Sequence, residues 1–179
     1  MSVWSKKARR QISTAGYEAS GTSNMTFMMN GALTVGTRDG ATIEMAEEAG
    51  EDNMFLFGLT VEQVQGSQAW YNPRWHYDNE PETRAALNLI ISNYFSRNEP
   101  GTFDPIRETL LTYGDHYMHL ADLTSYTEAQ DRLGELYAKP AQWARKAILN
   151  VASSGKFSSD RTIQEYATQI WRVEPCPIP

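Results

Sequence analysis

Hydrophobic and polar positions divide the chain into two textures. Residues 13–24 are small, polar and glycine-bearing, with no apolar stripe, and read as loop. Residues 25–29 turn apolar and stop at Asn30-Gly31, so a short helix is predicted, with Ser23 or Asn24 as its N-cap. Residues 32–37 read as a strand, Asp39-Gly40 as a turn, and residues 42–49 as a helix ending at Gly50. Residues 54–57 are an unbroken apolar run with no solvent face, the pattern of a strand buried on both sides. Strand, helix, strand at this spacing predicts a parallel sheet with crossover helices.

Beyond Gly58 the pattern becomes mostly helical. A short helix is predicted over 61–65, an aromatic, proline-containing loop over 68–79, and a longer helix over 81–95 with Ala85, Leu87, Leu89, Ile90, Ile91 and Phe95 on or near one side. Asp104-Pro105 has the form of an N-cap and N1 pair. Residues 117–121 read as one more short strand, and 126–137, 140–153 and 160–171 as a helical tail. Residues 1–10 carry little periodicity and read as a frayed basic head.

Composition narrows the function classes. The chain has 179 residues, 41% of them hydrophobic, enough for a sizeable core. The net charge of −6 argues against a general nucleic-acid binder or a basic membrane-surface protein. No apolar run reaches the roughly 20 residues that cross a bilayer, and no apolar stretch of secretory type follows the basic start. One cysteine, Cys176, excludes an internal disulfide framework and a cysteine-rich zinc site. A cytoplasmic protein with no membrane or nucleic-acid partner is expected.

Three segments carry candidate chemistry. In Glu18-Ala19-Ser20-Gly21-Thr22-Ser23-Asn24, small residues ahead of a helix expose backbone N–H groups, and the helix start adds positive partial charge. A phosphate or a sugar hydroxyl fits such a loop, with Gly21 allowing close approach and Glu18 accepting from hydroxyls; an ordinary capped loop has the same letters. His116-Tyr117-Met118-His119 is a weak metal pattern, because residues three apart on a strand face opposite ways, and no metal ligand set is assigned. The segment 153–161 contains Gly-Lys and serines but lacks phosphate-loop spacing; it reads as one helix ending at Gly155 and another starting at Ser158 or Ser159. The acidic cluster Glu44, Glu47, Glu48, Glu51 and Asp52 reads as a solvated helix face. The aromatics of residues 70–77 suit either sugar stacking or packing.

Longer runs are more specific. Gln11-Ile12-Ser13-Thr14-Ala15-Gly16, Glu18-Ala19-Ser20-Gly21-Thr22, Asn24-Met25, Asn30-Gly31-Ala32-Leu33-Thr34, Gly36-Thr37, Asp39-Gly40-Ala41 and Glu44-Met45-Ala46-Glu47-Glu48-Ala49-Gly50 resemble the glycogen/starch (α-glucan) phosphorylase family. So do Gly114-Asp115-His116-Tyr117, Ala121-Asp122 and the tail from Ala152 through Trp171. The resemblance spans residues 11–175, with 1–10 set aside as a non-matching head and 11–179 as the C-terminal part of a cofactor-binding domain. It implies an α/β fold: a partial Rossmann-like parallel sheet of the glycosyltransferase-B C-terminal type, with a long helical C-terminal tail. It also implies phosphorolysis of α-1,4-glucan to glucose 1-phosphate, with pyridoxal phosphate supplying proton transfer through its phosphate.

By the same resemblance, Glu18, Ala19, Ser20 and Gly21 contact the glucose, Thr22 and Ser23 hold the cofactor phosphate, and Thr26 stands where the family carries its Schiff-base lysine. Threonine has no amine, so covalent attachment is not expected. Ser23 replaces a glycine where backbone approaches phosphate closely. The family's N-terminal domain and the first part of its C-terminal domain have no counterpart in these residues, which predicts an exposed hydrophobic sheet edge and self-association, or a separate N-terminal portion. The expected function is a phosphorylase segment that is inactive alone, or else a non-catalytic sugar- or phosphate-binding module of glucan metabolism.

Overall fold

The computed structural model describes residues 8–174 and Cys176. Three short parallel strands lie in the order β1 (Ala8–Gln11), β2 (Leu33–Thr37), β3 (Phe55–Phe57). The register places Ala8 beside Leu33 and Val35 beside Phe55. Helices α1 (Thr22–Met29) and α2 (Ala41–Ala49) are the crossovers. Beyond β3 come α3 (Val61–Ser67), α4 (Pro73–Asn79), α5 (Pro81–Ile91), α6 (Asp104–Arg107, widening into a π turn over Glu108–Thr112), α7 (His119–Tyr137) and α8 (Pro140–Ala152). A 3₁₀ turn at Ser153–Phe157 leads to α9 (Ser159–Glu165) and a second π turn at Tyr166–Trp171.

Alternation along the strands divides the core. Leu33, Val35, Phe55 and Phe57 pack on Ala129, Leu133 and Leu136 of α7 and on Trp143 of α8. On the other side Met28 of α1 and Met45, Ala46 and Ala49 of α2 cluster with Met54, and Leu56 packs against them. A sheet covered on both faces has no polar period, which is why all five residues of β2 are buried. The α/β reading and the helical tail therefore stand.

Four local expectations are corrected. The basic head is not frayed throughout: Ala8–Gln11 is a strand paired in parallel with β2, because the main-chain ladder needs no apolar pattern of its own. Residues 1–7 of that head lie outside the described residues. This outer strand bears Arg9, Arg10 and Gln11, so the β1 edge of the sheet is basic, while the other edge strand, β3, is Phe55-Leu56-Phe57. Residues 73–79 of the expected aromatic loop form α4, since Asn72 Oδ1 accepts from the Arg74 N–H at 3.0 Å and Pro73 opens the first turn. Residues 117–121 are not a strand: the Asp115 carboxylate accepts from the His119 and Leu120 N–H groups at 3.0 and 2.8 Å, and Met118 adopts φ +52°, so α7 begins at His119. Helix α1 has no side-chain N-cap; Gly21 occupies that position in the left-handed region (φ +76°), in place of Ser23 or Asn24.

Candidate functional site

The loops leaving β1 and β2 meet at the carboxyl ends of these strands, where open parallel sheets bind ligands. Asp39 follows β2 and is nearly buried. Its Oδ2 accepts from the backbone N–H of Glu18 at 2.7 Å and of Tyr17 at 3.1 Å, and from Ser13 Oγ at 3.4 Å; Oδ1 accepts from the Gly40 N–H at 2.9 Å. Ser13 Oγ also lies 3.1 Å from Thr37 Oγ1. One carboxylate thus fixes the path of the loop that the sequence marked.

The loop closes on itself through Glu18. Its Oε1 accepts from the Gly21 N–H at 3.0 Å and the Ser20 N–H at 3.3 Å, while Oε2 accepts from Gln11 Nε2 at 2.9 Å. The Ser20 N–H, then the Gln11 amide, holds the Glu18 carboxyl below its ordinary value. Glu18 thus organises the loop with both carboxylate oxygens, and among the described residues Oε2 accepts only from Gln11 Nε2. The Ala41 N–H donates to Ser20 O at 2.8 Å. A Cβ on Gly40 would stand 3.0 Å from Glu18 O and 3.1 Å from Ser20 O, so glycine is what lets the two loops touch.

Ala19 and Thr22 face outward, with Ser20, Gly21 and Ser23 half-buried. The first turn of α1, free of a side-chain cap, begins at Thr22. Arg9 of β1 reaches this turn: Nη2 lies 3.5 Å from Ser23 Oγ, and the guanidinium sits 5.1 Å from the Phe27 ring centre. One turn on, Thr26 is exposed and its Oγ1 donates to Thr22 O at 3.5 Å. The donors here suit a phosphate, but no amine stands at position 26, and a covalent imine linkage does not fit this helix.

The structure unites the loop with the Gly114–Tyr117 segment. Thr14 Oγ1 donates to Tyr117 O at 2.6 Å, and the Tyr17 and Tyr117 rings meet edge to face at 5.7 Å. His116 and His119 both pack on Tyr117. Among the described residues no group of three or more His, Cys, Asp or Glu side chains converges. Lys156 pairs with Glu48 at 2.7 Å, and Glu51 with Arg38 at 3.3 Å, which gives the acidic cluster partners on its own surface. The sequence missed three residues. Asp39 was legible only as half of a turn, Asn24 is a buried donor to Thr42 Oγ1 at 3.0 Å, and Arg9 lay in a segment without pattern.

A three-stranded parallel sheet with helices on both faces, and a hydrogen-bonded loop and a helix start at its carboxyl edge, defines an α/β protein, and residues 6–173 match the carbohydrate phosphorylase family. The chain belongs to that family, and the match reaches five residues further toward the N-terminus than the resemblance did. It is 53% identical to the brain form of human glycogen phosphorylase over 167 residues, 93% of this chain and 20% of that protein. It is 52% identical to the mouse muscle form over 166 residues, again 20% of that protein. The chain spans about a fifth of the length of the curated relatives it matches.

Proposed function

We propose that these residues are the cofactor-side segment of an α-1,4-glucan phosphorylase, a glycosyltransferase of glycogen and starch breakdown, and that taken alone they do not turn over. The observation that carries this is Thr26 on the exposed face of α1. A hydroxyl cannot form the imine that ties pyridoxal phosphate to a lysine. Any hold on the cofactor rests on Thr22, Ser23 and the uncapped first turn, with Arg9 alongside. The loop from Glu18 to Gly21 forms one wall of a glucose pocket, and rate requires charge placed on both sides of a transition state. Glucan, phosphate and glucose 1-phosphate are the ligands of this reading, in a cytoplasmic setting.

A spectral titration tests it. Pyridoxal phosphate added to the unsubstituted chain and then dialysed should leave no visible chromophore on α1. The variant Thr26→Lys should retain one that survives dialysis. Retention on α1 of the unsubstituted chain would overturn the reading. The assembled state of the loop supports a second role, a non-catalytic module that binds a sugar or a phosphate. Asp39 and Glu18 hold the loop in shape by accepting from its own backbone N–H groups. Saturable binding of glucose 1-phosphate without turnover would favour that role; no binding at millimolar concentration would remove it.

A further inference from the structure

One concavity of the described residues is lined by no residue of the Glu18–Gly21 loop or of α1, although Leu59, Tyr71 and Ala121 in its wall pack against Ala15 and Met118. It measures about 710 Å³ and is walled by Leu59, Ser67, Trp70, Tyr71, Trp75 and His76. Small-molecule pockets run from about 300 to 1,000 Å³. We infer that this pocket is a carbohydrate-binding subsite in which Trp70 and Trp75 stack on the faces of consecutive pyranose rings of a neutral oligosaccharide.

The two indoles carry the inference. Trp70 is 74% exposed and Trp75 56% exposed, although indole is among the most favourable groups to bury. Both are held in place nonetheless. Trp70 Nε1 donates to Gly66 O at 2.9 Å, and Trp75 stands edge-on to the His76 ring at 5.1 Å. His76 Nδ1 is in turn engaged by Glu80 Oε1 at 2.8 Å. Tyr71, in the pocket wall, is fixed by its hydroxyl donating to Asp115 Oδ2 at 2.7 Å, and Asp115 is itself buried. Fixed, exposed aromatic faces lose little entropy when a ligand settles on them.

The lining selects the ligand's chemistry. It contains no Lys, Arg, Asp or Glu, so a phosphate or carboxylate would be desolvated with no counter-charge. A free aromatic gains most from complete burial, which rim indoles do not give. A pyranose has an apolar C–H face for the indole and hydroxyl edges that stay in water or meet the amides of Gln63 and Asn72. The volume suits more than one ring. That the chain is an α-1,4-glucan rests on the proposed function; the saccharide class rests on the lining alone.

Maltopentaose, cellopentaose and indole are each titrated into the 179-residue chain by calorimetry, with the tryptophan indole N–H resonances followed in parallel. Maltopentaose should bind and shift the Trp70 and Trp75 resonances. Its affinity should fall about tenfold or more in Trp70→Ala and in Trp75→Ala, and less in Trp75→Phe, which keeps a ring for stacking. Both tryptophans lie at the surface, and far-UV circular dichroism verifies that the variants fold. Binding of cellopentaose alone would support the pocket while contradicting the glucan reading. The inference is overturned if neither oligosaccharide binds, if binding leaves both resonances unmoved, if the folded alanine variants bind unchanged, or if indole alone saturates the pocket.

Discussion

At the scale of single residues, Asp39 shapes the loop and Thr26 places a hydroxyl on the exposed face of α1. The Asp39 carboxylate, 5% exposed, gathers N–H groups from Tyr17, Glu18 and Gly40. Replacing it by alanine strands those donors, and Asp39→Ala should cost about 2 kcal/mol in urea unfolding. A cost within error of zero would mean that the loop is held by other contacts. Glu18 titrates with a defined sign. Its folded pKa is lowered below the ordinary 4.5, so its stabilising contribution is present above that value and is lost as pH falls through the lowered folded value. Exchange protection of the Ser20 and Gly21 amides should therefore fall on acidification, and Glu18→Gln should abolish this dependence. The loop was legible as small residues before a helix. Its organiser was not, because Asp39 acts across 22 positions and a turn-forming Asp-Gly looks the same whether or not it does so.

At the scale of elements, the strands and crossover helices were readable because burial on both faces leaves a continuous apolar run and the helices end at glycine or Asn-Gly. The failures share one cause, a tertiary partner overriding local pattern. Strand β1 has an unremarkable basic sequence and forms because β2 offers a ladder. Helix α7 starts seven residues before its expected position because Asp115 caps it from outside. Asp115→Ala should shorten α7 and release Tyr71, with a cost of about 3 kcal/mol measured by thermal or urea unfolding. The junction of β3 with α7 is equally specific. Gly58 has φ +81°, and a Cβ there would lie 2.9 Å from Asp122 Oδ2. Gly58→Ala should cost about 1–3 kcal/mol through backbone strain and that clash. A neutral outcome would show that the turn relaxes.

At the scale of the molecule, the described sheet is three strands wide, with α7 and α8 on one face and α1 and α2 on the other. Among the described residues helix α7, the longest, is not apolar enough to cross a membrane. Apolar surface remains along the tail, where Ile170 and Trp171 are more than half exposed. Self-association was expected through an apolar sheet edge; the β1 edge carries arginines, and exposed apolar side chains also lie on α8 at Ile148, Leu149 and Val151. Sedimentation of the purified chain should show association that weakens on dilution. A monodisperse monomer with a high melting temperature would contradict this. The central claim, however, is chemical: the loop proposed to face glucan precedes a helix whose position 26 is a threonine, with no amine to anchor the cofactor. It is tested most directly by incubating the purified 179-residue chain with glycogen, inorganic phosphate and pyridoxal phosphate and assaying glucose 1-phosphate. No phosphate-dependent release above the protein-free control is expected, and sustained release by the unsubstituted chain would contradict the claim.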